Sequence, residues 1–238
     1  MKKLFILSIL FSFIFFSCSD EPEPEPEVIR AYCYLYHFIP ELGNVLWEVD
    51  DHGLPEAQAY AVQFAGSVVL ETASEEISFT VKHSGTNEVL ISQLFPLEKN
   101  TYYNVIVTGT KEDPVFLFQE IDLTHPQSGN VKFQLLHSLA GQNSIDLYMG
   151  DTTAANKAVS DLAYLSLSDP FEVLVDDART AIVATAHTEE YNQDSVLLSS
   201  IYNDMIITGA NYLSVFAPHS FYPADTLLTF WLYEVVLE

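Results

Sequence analysis

The chain has 238 residues, with 9 Lys and Arg against 33 Asp and Glu and a formal net charge of −24. A body this acidic is repelled by phosphate backbones and by anionic lipid surfaces, which argues against nucleic acid as a partner. Two cysteines, Cys18 and Cys33, are too few for a disulfide framework.

Lys2 and Lys3 open the chain, and Leu4 to Phe16 form an apolar run interrupted only by Ser8 and Ser12. The run is shorter than the ~20 residues a spanning helix takes, and it has the layout of a secretory signal. Ser17-Cys18 resembles the lipobox of bacterial lipoproteins, whose cysteine is lipidated and becomes the first mature residue. Phe15 and Phe16 depart from that box, which usually carries Leu and then a small residue. The alternative is a plain signal peptide with an incidental cysteine. The resemblance implies a signal peptide over 1–17, lipidation at Cys18, and a Gram-negative cell-envelope lipoprotein of the outer membrane, on its periplasmic or cell-surface face. One acyl chain gives marginal binding at ~0.8 kcal/mol per methylene; the two or three chains of a lipoprotein anchor firmly.

Residues 18–27 read as an acidic tether, because Glu-Pro repeated from Glu21 to Pro26 suits neither helix nor sheet ladder. Extended at ~3.1 Å per residue, the steps from Cys18 to Val28 reach about 30 Å. Its acidic start resembles the surface-export signals of some Bacteroidetes lipoproteins, though Asp20 can equally sort the protein or solvate the tether. Removing 1–17 takes away two lysines and no acids, leaving 7 basic against 33 acidic residues, a net of −26. With Cys18 in lipid, Cys33 has no partner for an intramolecular disulfide, and its apolar surroundings predict a buried, inert thiol.

From Val28 onward, apolar runs rich in Val, Ile, Tyr, Phe and Leu alternate with turn residues, which predicts an all-β chain. The first set of strands is expected over 28–38, 45–49, 60–64, 77–83, 89–95, 102–108 and 115–121. The second is expected over 131–137, 144–149, 162–167, 171–175, 181–187, 196–202, 205–208, 213–216 and 227–236. A short helix is expected over Ala154–Asp161, where Ala154, Ala155, Ala158 and Asp161 share helical spacing. The two sets resemble each other: Tyr103–Gly109 matches Asn203–Gly209, Phe79–His83 matches Val183–His187, and Val28-Ile29-Arg30 matches Val131-Lys132-Phe133. A repeat this long is a domain repeat. It predicts two tandem antiparallel β-sandwich domains, immunoglobulin-like or transthyretin-like, over 28–128 and 129–238. Stacked in line on the tether, they would carry the second domain well away from the membrane.

Val131 to Ala140, continuing through Ile145-Asp146-Leu147-Tyr148-Met149-Gly150, resembles the opening of domain-of-unknown-function family 4397. That family opens with a strand ending in His-Ala-Ser-Pro and then a Val-Asp-Val-Tyr strand, and later carries a strand ending in Val-Gly-Thr, like Val107-Thr108-Gly109-Thr110. Leu139-Ala140 replaces Ser-Pro, and the first half keeps little of the opening beyond Val28 to His37. The resemblance implies a sandwich in secreted or envelope proteins and no particular activity.

The motifs of the common hydrolases and nucleotide enzymes are absent, and nothing calls for a cofactor. His37 and His137 close equivalent first strands, where the family places a histidine; each can be a structural hydrogen-bonding residue or a metal or catalytic one, and the structural reading is preferred. Asp50-Asp51-His52 and Asp176-Asp177 lack the alternating oxygen spacing of a calcium loop and read as solvated turns, with no metal assigned. On the first strand, Tyr32, Tyr34, Tyr36 and Phe38 share one face and Ile29, Ala31, Cys33, Leu35 and Ile39 the other. The tyrosine face can stack on sugar rings or dock a partner; burial beneath a loop or against the second domain is preferred. These residues lead to a non-catalytic envelope lipoprotein that binds or spaces, its partner an envelope protein or a glycan. The alternative of different class is a glycan- or small-ligand-binding module using Tyr32, Tyr34 and Tyr36. A hydrolase would need a concave pocket with converging histidines and carboxylates. Oligomeric state is not set by the sequence.

Overall fold

The computed structural model describes residues 28–63, 67–72, 74–188, 191–202, 205–219 and 228–235, so Cys18 and the tether lie outside the described residues. The first half runs β1 (Ile29–Phe38), β2 (Asn44–Val49), β3 (His52–Gly53), β4 (Gln58–Ala59) and β5 (Val68–Thr72). It continues with β6 (Glu76–His83), β7 (Val89–Pro96), β8 (Tyr102–Gly109) and β9 (Pro114–Glu120). One sheet has the order β5-β1-β8-β9 and the other β3-β2-β6-β7, with β4 also on β2. Period-two alternation sends Ala31, Cys33 and Leu35 of β1 inward to meet Val105, Trp47, Phe79 and Phe95. A fully buried side chain such as Phe79 contributes about 2–3 kcal/mol. The buried amide of Gln58 ties the layers together: its oxygen accepts from Trp47 Nε1 at 2.5 Å and its nitrogen donates to the Leu35 carbonyl at 2.7 Å.

The second half repeats the plan. It runs β10 (Asn130–His137), β11 (Ser144–Met149), β12 (Lys157–Ala163), β13 (Ser166–Leu167), β14 (Phe171–Leu174) and α1 (Val175–Thr180). The remaining strands are β15 (Ile182–Ala186), β16 (Val196–Ser200), β17 (Asn211–Pro218) and β18 (Leu228–Glu234). Its sheets are β13-β10-β17-β18, with β14 also on β10, and β12-β11-β15-β16. Both sandwiches are antiparallel except for one parallel pair each, β1 with β8 and β10 with β17.

The two sandwiches lie side by side. The outer face of the β1 sheet packs on the outer face of the β10 sheet in a third apolar cluster that includes Tyr36, Phe38, Ile106, Leu136, Leu213 and Val215. The order through the body is therefore four layers, with the β2 and β11 sheets outermost. Thr108 Oγ1 meets Ser138 Oγ at 2.6 Å and Tyr60 Oη donates to the Pro218 carbonyl at 2.9 Å, joining the ends where β1 and β10 finish. At the opposite end, where both strands start, Lys132 Nζ reaches Asp122 Oδ2 at 2.8 Å. The in-line stack expected from the sequence is thus overturned: an apolar outer face on each inner sheet demands a partner, and each sheet supplies the other's.

Several local expectations are corrected. Residues Ala154–Asn156 make a single 3-10 turn, and the rest of the expected helix is β12, because Lys157 and Val159 pair with Tyr148 and Leu147 on β11. The actual helix, α1, starts where a strand was expected to end; its six residues bury only Val175 and Ala178, too little for a periodic signal. Tyr60, expected to open a strand, and Tyr164, expected within one, both sit in turns, with Ala61 and Leu165 in the left-handed region at φ 54° and 60°. Ile206 to Ala210 form no strand, and the true counterpart of β8 is β17: Tyr103 pairs opposite Cys33 as Tyr212 pairs opposite Phe133. The repeat match of Tyr103–Gly109 with Asn203–Gly209 is therefore wrong in register. Phe79 opposite Val49 and Ile182 opposite Met149 shift the second match by one residue.

Candidate functional site

The tyrosine face is the first place to look for a ligand, and the seam takes most of it. Tyr34 and Tyr36 are buried, at 4% and 0% exposure. Tyr36 and Phe38 both meet the Tyr233 ring edge-on, with centroids 5.0 and 5.9 Å apart. Tyr233 Oη donates to the Ala61 carbonyl at 2.6 Å, so one tyrosine of the second half caps the turn of the first. Burial raises the Tyr36 and Tyr233 hydroxyls well above the usual phenol range, which keeps them neutral. Tyr32 alone is half-buried, and it stacks on Tyr102 with ring centroids 4.4 Å apart. Tyr32, Tyr34 and Tyr36 therefore do not form an open platform for a sugar, because the second sandwich occupies the face.

The polar fringe of the seam is charged. Lys132 is buried and gives its ammonium to Asp122 Oδ2 and to the Thr124 carbonyl at 2.6 Å. The Lys132 ammonium, helped by the Thr124 hydroxyl and N–H, lowers the Asp122 carboxyl to about 2. This arrangement locks the linker between the halves onto β10.

His37 and His137 form a repeated corner at the finishing ends of β1 and β10. In each, Nε2 donates to a loop carbonyl, Leu42 at 3.3 Å and Gln142 at 3.1 Å, while Nδ1 accepts the N–H of the residue two further on, Ile39 or Leu139. Each histidine carbonyl accepts the N–H of the left-handed residue, Ala61 or Leu165, and a tyrosine ring, Tyr60 or Tyr164, lies against the imidazole. Both nitrogens are used in a neutral ring, and burial lowers both to about 4. Neither is placed for metal or acid–base work. Cys33 is buried in the first core, where desolvation pushes its thiol up to about 12 and disfavours the reactive thiolate.

One polar cluster was not foreseen. Asp146, on the outer face of β11, is fully buried. Its carboxylate accepts from Lys157 Nζ at 2.8 Å, the Asp161 N–H at 2.8 Å and His187 Nδ1 at 2.7 Å. Burial opposes ionisation, but Lys157, the Asp161 amide and His187 outweigh it and hold Asp146 below the ordinary carboxylate range. His187 Nε2 lies 3.9 Å from the Asp161 carboxylate, beyond hydrogen-bond distance, so the ring is held through Nδ1 on Asp146. Tyr148 lies beside this group under Lys157 and Tyr191. The alternation Ile145-Asp146-Leu147-Tyr148-Met149 places Asp146 and Tyr148 on the outer face, which reads as solvent-facing; Lys157, Ser160 and Asp161 of β12, with His187 and Tyr191, gather over them.

Asp50 and Asp51 form the β2–β3 turn in left-handed backbone, φ 46° and 62°, and Asp50 Oδ1 accepts the Ser78 N–H at 2.9 Å. Asp176 and Asp177 sit in the first turn of α1, where an acid complements the exposed N–H groups. Among the described residues no group of three His, Cys, Asp or Glu gathers to hold a metal, and no helix is long and apolar enough to cross a membrane.

No protein-family model matches the chain, and no curated protein does. Among solved structures it is similar to a "putative adhesin" from Bacteroides ovatus, at 8% identity and a TM-score of 0.22, over 87% of this chain and 95% of that one. It is similar to a "putative cell adhesion protein" from Bacteroides fragilis, at 8% identity and a TM-score of 0.20, over 89% of this chain and 99% of that one. A leucine-rich repeat protein from Bacteroides thetaiotaomicron follows at 11% identity and a TM-score of 0.18, over 79% of this chain and 25% of that one.

Proposed function

We propose that this chain is a non-catalytic lipoprotein of the Gram-negative cell envelope, held in the outer membrane by acyl chains on Cys18, whose double sandwich binds or spaces an envelope partner. The observation that supports this reading is the seam: both halves spend their apolar outer faces on each other, making one body on one tether. Val28 lies at the end where β1 and β10 start, so the body is tethered from that end. Its partner is an envelope protein or a glycan, met on the surfaces the seam leaves free, without a cofactor.

The test is cell fractionation. Wild-type protein is expected in the membrane fraction with a mass increased by its acyl chains, and Cys18→Ala in the soluble fraction. A Cys18→Ala protein that still pellets with membranes would contradict the anchor.

A further inference from the structure

The end of the second sandwich where β10 starts carries large apolar side chains that the fold does not require. Leu174 is 58% exposed, Ile201 66%, Met205 65% and Ile207 52%. Around them the backbone is pinned. Ile206 is fully buried in the second core, and Arg179 donates to its carbonyl through Nε at 2.9 Å and Nη2 at 2.6 Å. Tyr212 Oη accepts the Ile207 N–H and donates to the Met205 carbonyl, both at 3.1 Å, and the Gly209 N–H donates to Asn130. Met205 and Ile207 are thus held outward on either side of an inward anchor.

The first sandwich holds an internal comparison. There Tyr103 Oη accepts the Glu98 N–H at 2.9 Å, Leu97 points inward, and the Asn100 N–H donates to Arg30. Leu97 does the work of Ile206, and Glu98 stands where Ile207 stands. The same device therefore folds with an acid at the outward position, so the fold does not demand an apolar side chain at 207.

What covers them follows from where the rest of the chain is. Leu174 lies opposite Asn130 at the start of β10, and Ile201 follows β16 at the same end. Val28 leaves the body at that end too, since β1 and β10 start together. Sheets stack at ~10 Å, so β16 lies about two layers, or 20 Å, from β1. That span falls within the about 30 Å of tether between Val28 and Cys18. Asp50, Asp51, Asp176 and Asp177 border the same end and repel anionic headgroups. We infer that Leu174, Ile201, Met205 and Ile207 seat on the zwitterionic lipid surface to which the tether holds the protein, an inference that rests on the lipid-anchor reading above.

The experiment uses Ile207→Trp, with Val89→Trp at the opposite end as reference and the unmutated protein to subtract Trp47 and Trp231. Each is made in the full acylated chain and in a form where a hexahistidine tag replaces residues 1–18, a change outside every described element. The first is reconstituted in phosphatidylcholine vesicles and the second held on phosphatidylcholine containing nickel-chelating lipid. Brominated phosphatidylcholine is expected to quench the added indole of Ile207→Trp by at least about twofold in both forms, and to leave that of Val89→Trp nearly unchanged. Absence of quenching in the tagged, vesicle-bound form of Ile207→Trp overturns the inference. So does concentration-dependent dimerisation that Ile207→Glu abolishes, which would assign the patch to a second copy. A tagged form that quenches beside a native chain without acyl mass would instead sink the lipid-anchor reading and leave the patch assignment standing.

Discussion

The histidine corners make the protein's stability depend on pH through the neutral ring. In His37 and His137, Nδ1 must accept a backbone N–H, so protonating it places two donors face to face inside the body. Both rings sit at about 4 in the folded state against 6.5 for an ordinary histidine. As pH falls, the unfolded chain takes up these protons first, and the native state takes them up only near 4. Stability is therefore complete above about pH 7 and lost progressively down to pH 4. At pH 5 each ring has lost about 2 kcal/mol and the pair about 4 kcal/mol, a large share of the 5–15 kcal/mol typical of a folded protein. That loss lowers the melting temperature by roughly 10 °C. The assay is urea or thermal unfolding at pH 7.5 and pH 5. His37→Gln with His137→Gln is expected to cost about 2–4 kcal/mol at pH 7.5 through lost hydrogen bonds, and to cut the fall between the two pH values by at least half. A double variant that keeps the full pH slope would show that other groups carry the acid sensitivity.

Other substitutions test the packing. Asp146→Ala removes the buried acceptor of Lys157, His187 and the Asp161 N–H, and because the first two are partly exposed the cost should be about 1–3 kcal/mol by urea unfolding; no loss would mean the cluster does not stabilise the fold. Gly109 has φ 95°, and a Cβ there would lie 2.5 Å from the Asp113 carbonyl oxygen. Gly109→Ala should therefore destabilise by at least about 2 kcal/mol, whereas Gly141→Ala, at φ 86° with open space around it, should cost only about 1 kcal/mol. The Tyr36 hydroxyl is buried with no partner among the described residues. Tyr36→Phe should thus be neutral or stabilising by up to about 1 kcal/mol, and Tyr36→Ala should cost about 3–5 kcal/mol.

The strands were legible because most of them alternate cleanly: β1, β2, β6, β8, β10 and β11 fall within a residue of their expected bounds. Short elements failed for a physical reason. β12 and β13 are set by pairing to β11 and β10, not by a pattern of their own, and α1 buries too few side chains to show a period. The repeat was visible at His37 and His137, whose corner chemistry is local. It was misaligned at β8 because the loop before β17 is longer than its counterpart before β8, so Met205–Gly209 mimicked the strand. The tyrosine face was readable as apolar, but what covers it is a long-range fact. Asp146 was invisible as a buried charge because its partners, Lys157, Ser160 and Asp161 on β12 and His187 after β15, are brought to it only by the pairing of β11 with its two neighbours.

The seam makes the two sandwiches one body, and scanning calorimetry of the chain from Val28 onward reads whether they unfold together. One transition is expected, with calorimetric and van't Hoff enthalpies equal at about 140 kcal/mol near 60 °C for roughly 200 residues. Two resolved transitions, each carrying about half that enthalpy, would contradict it.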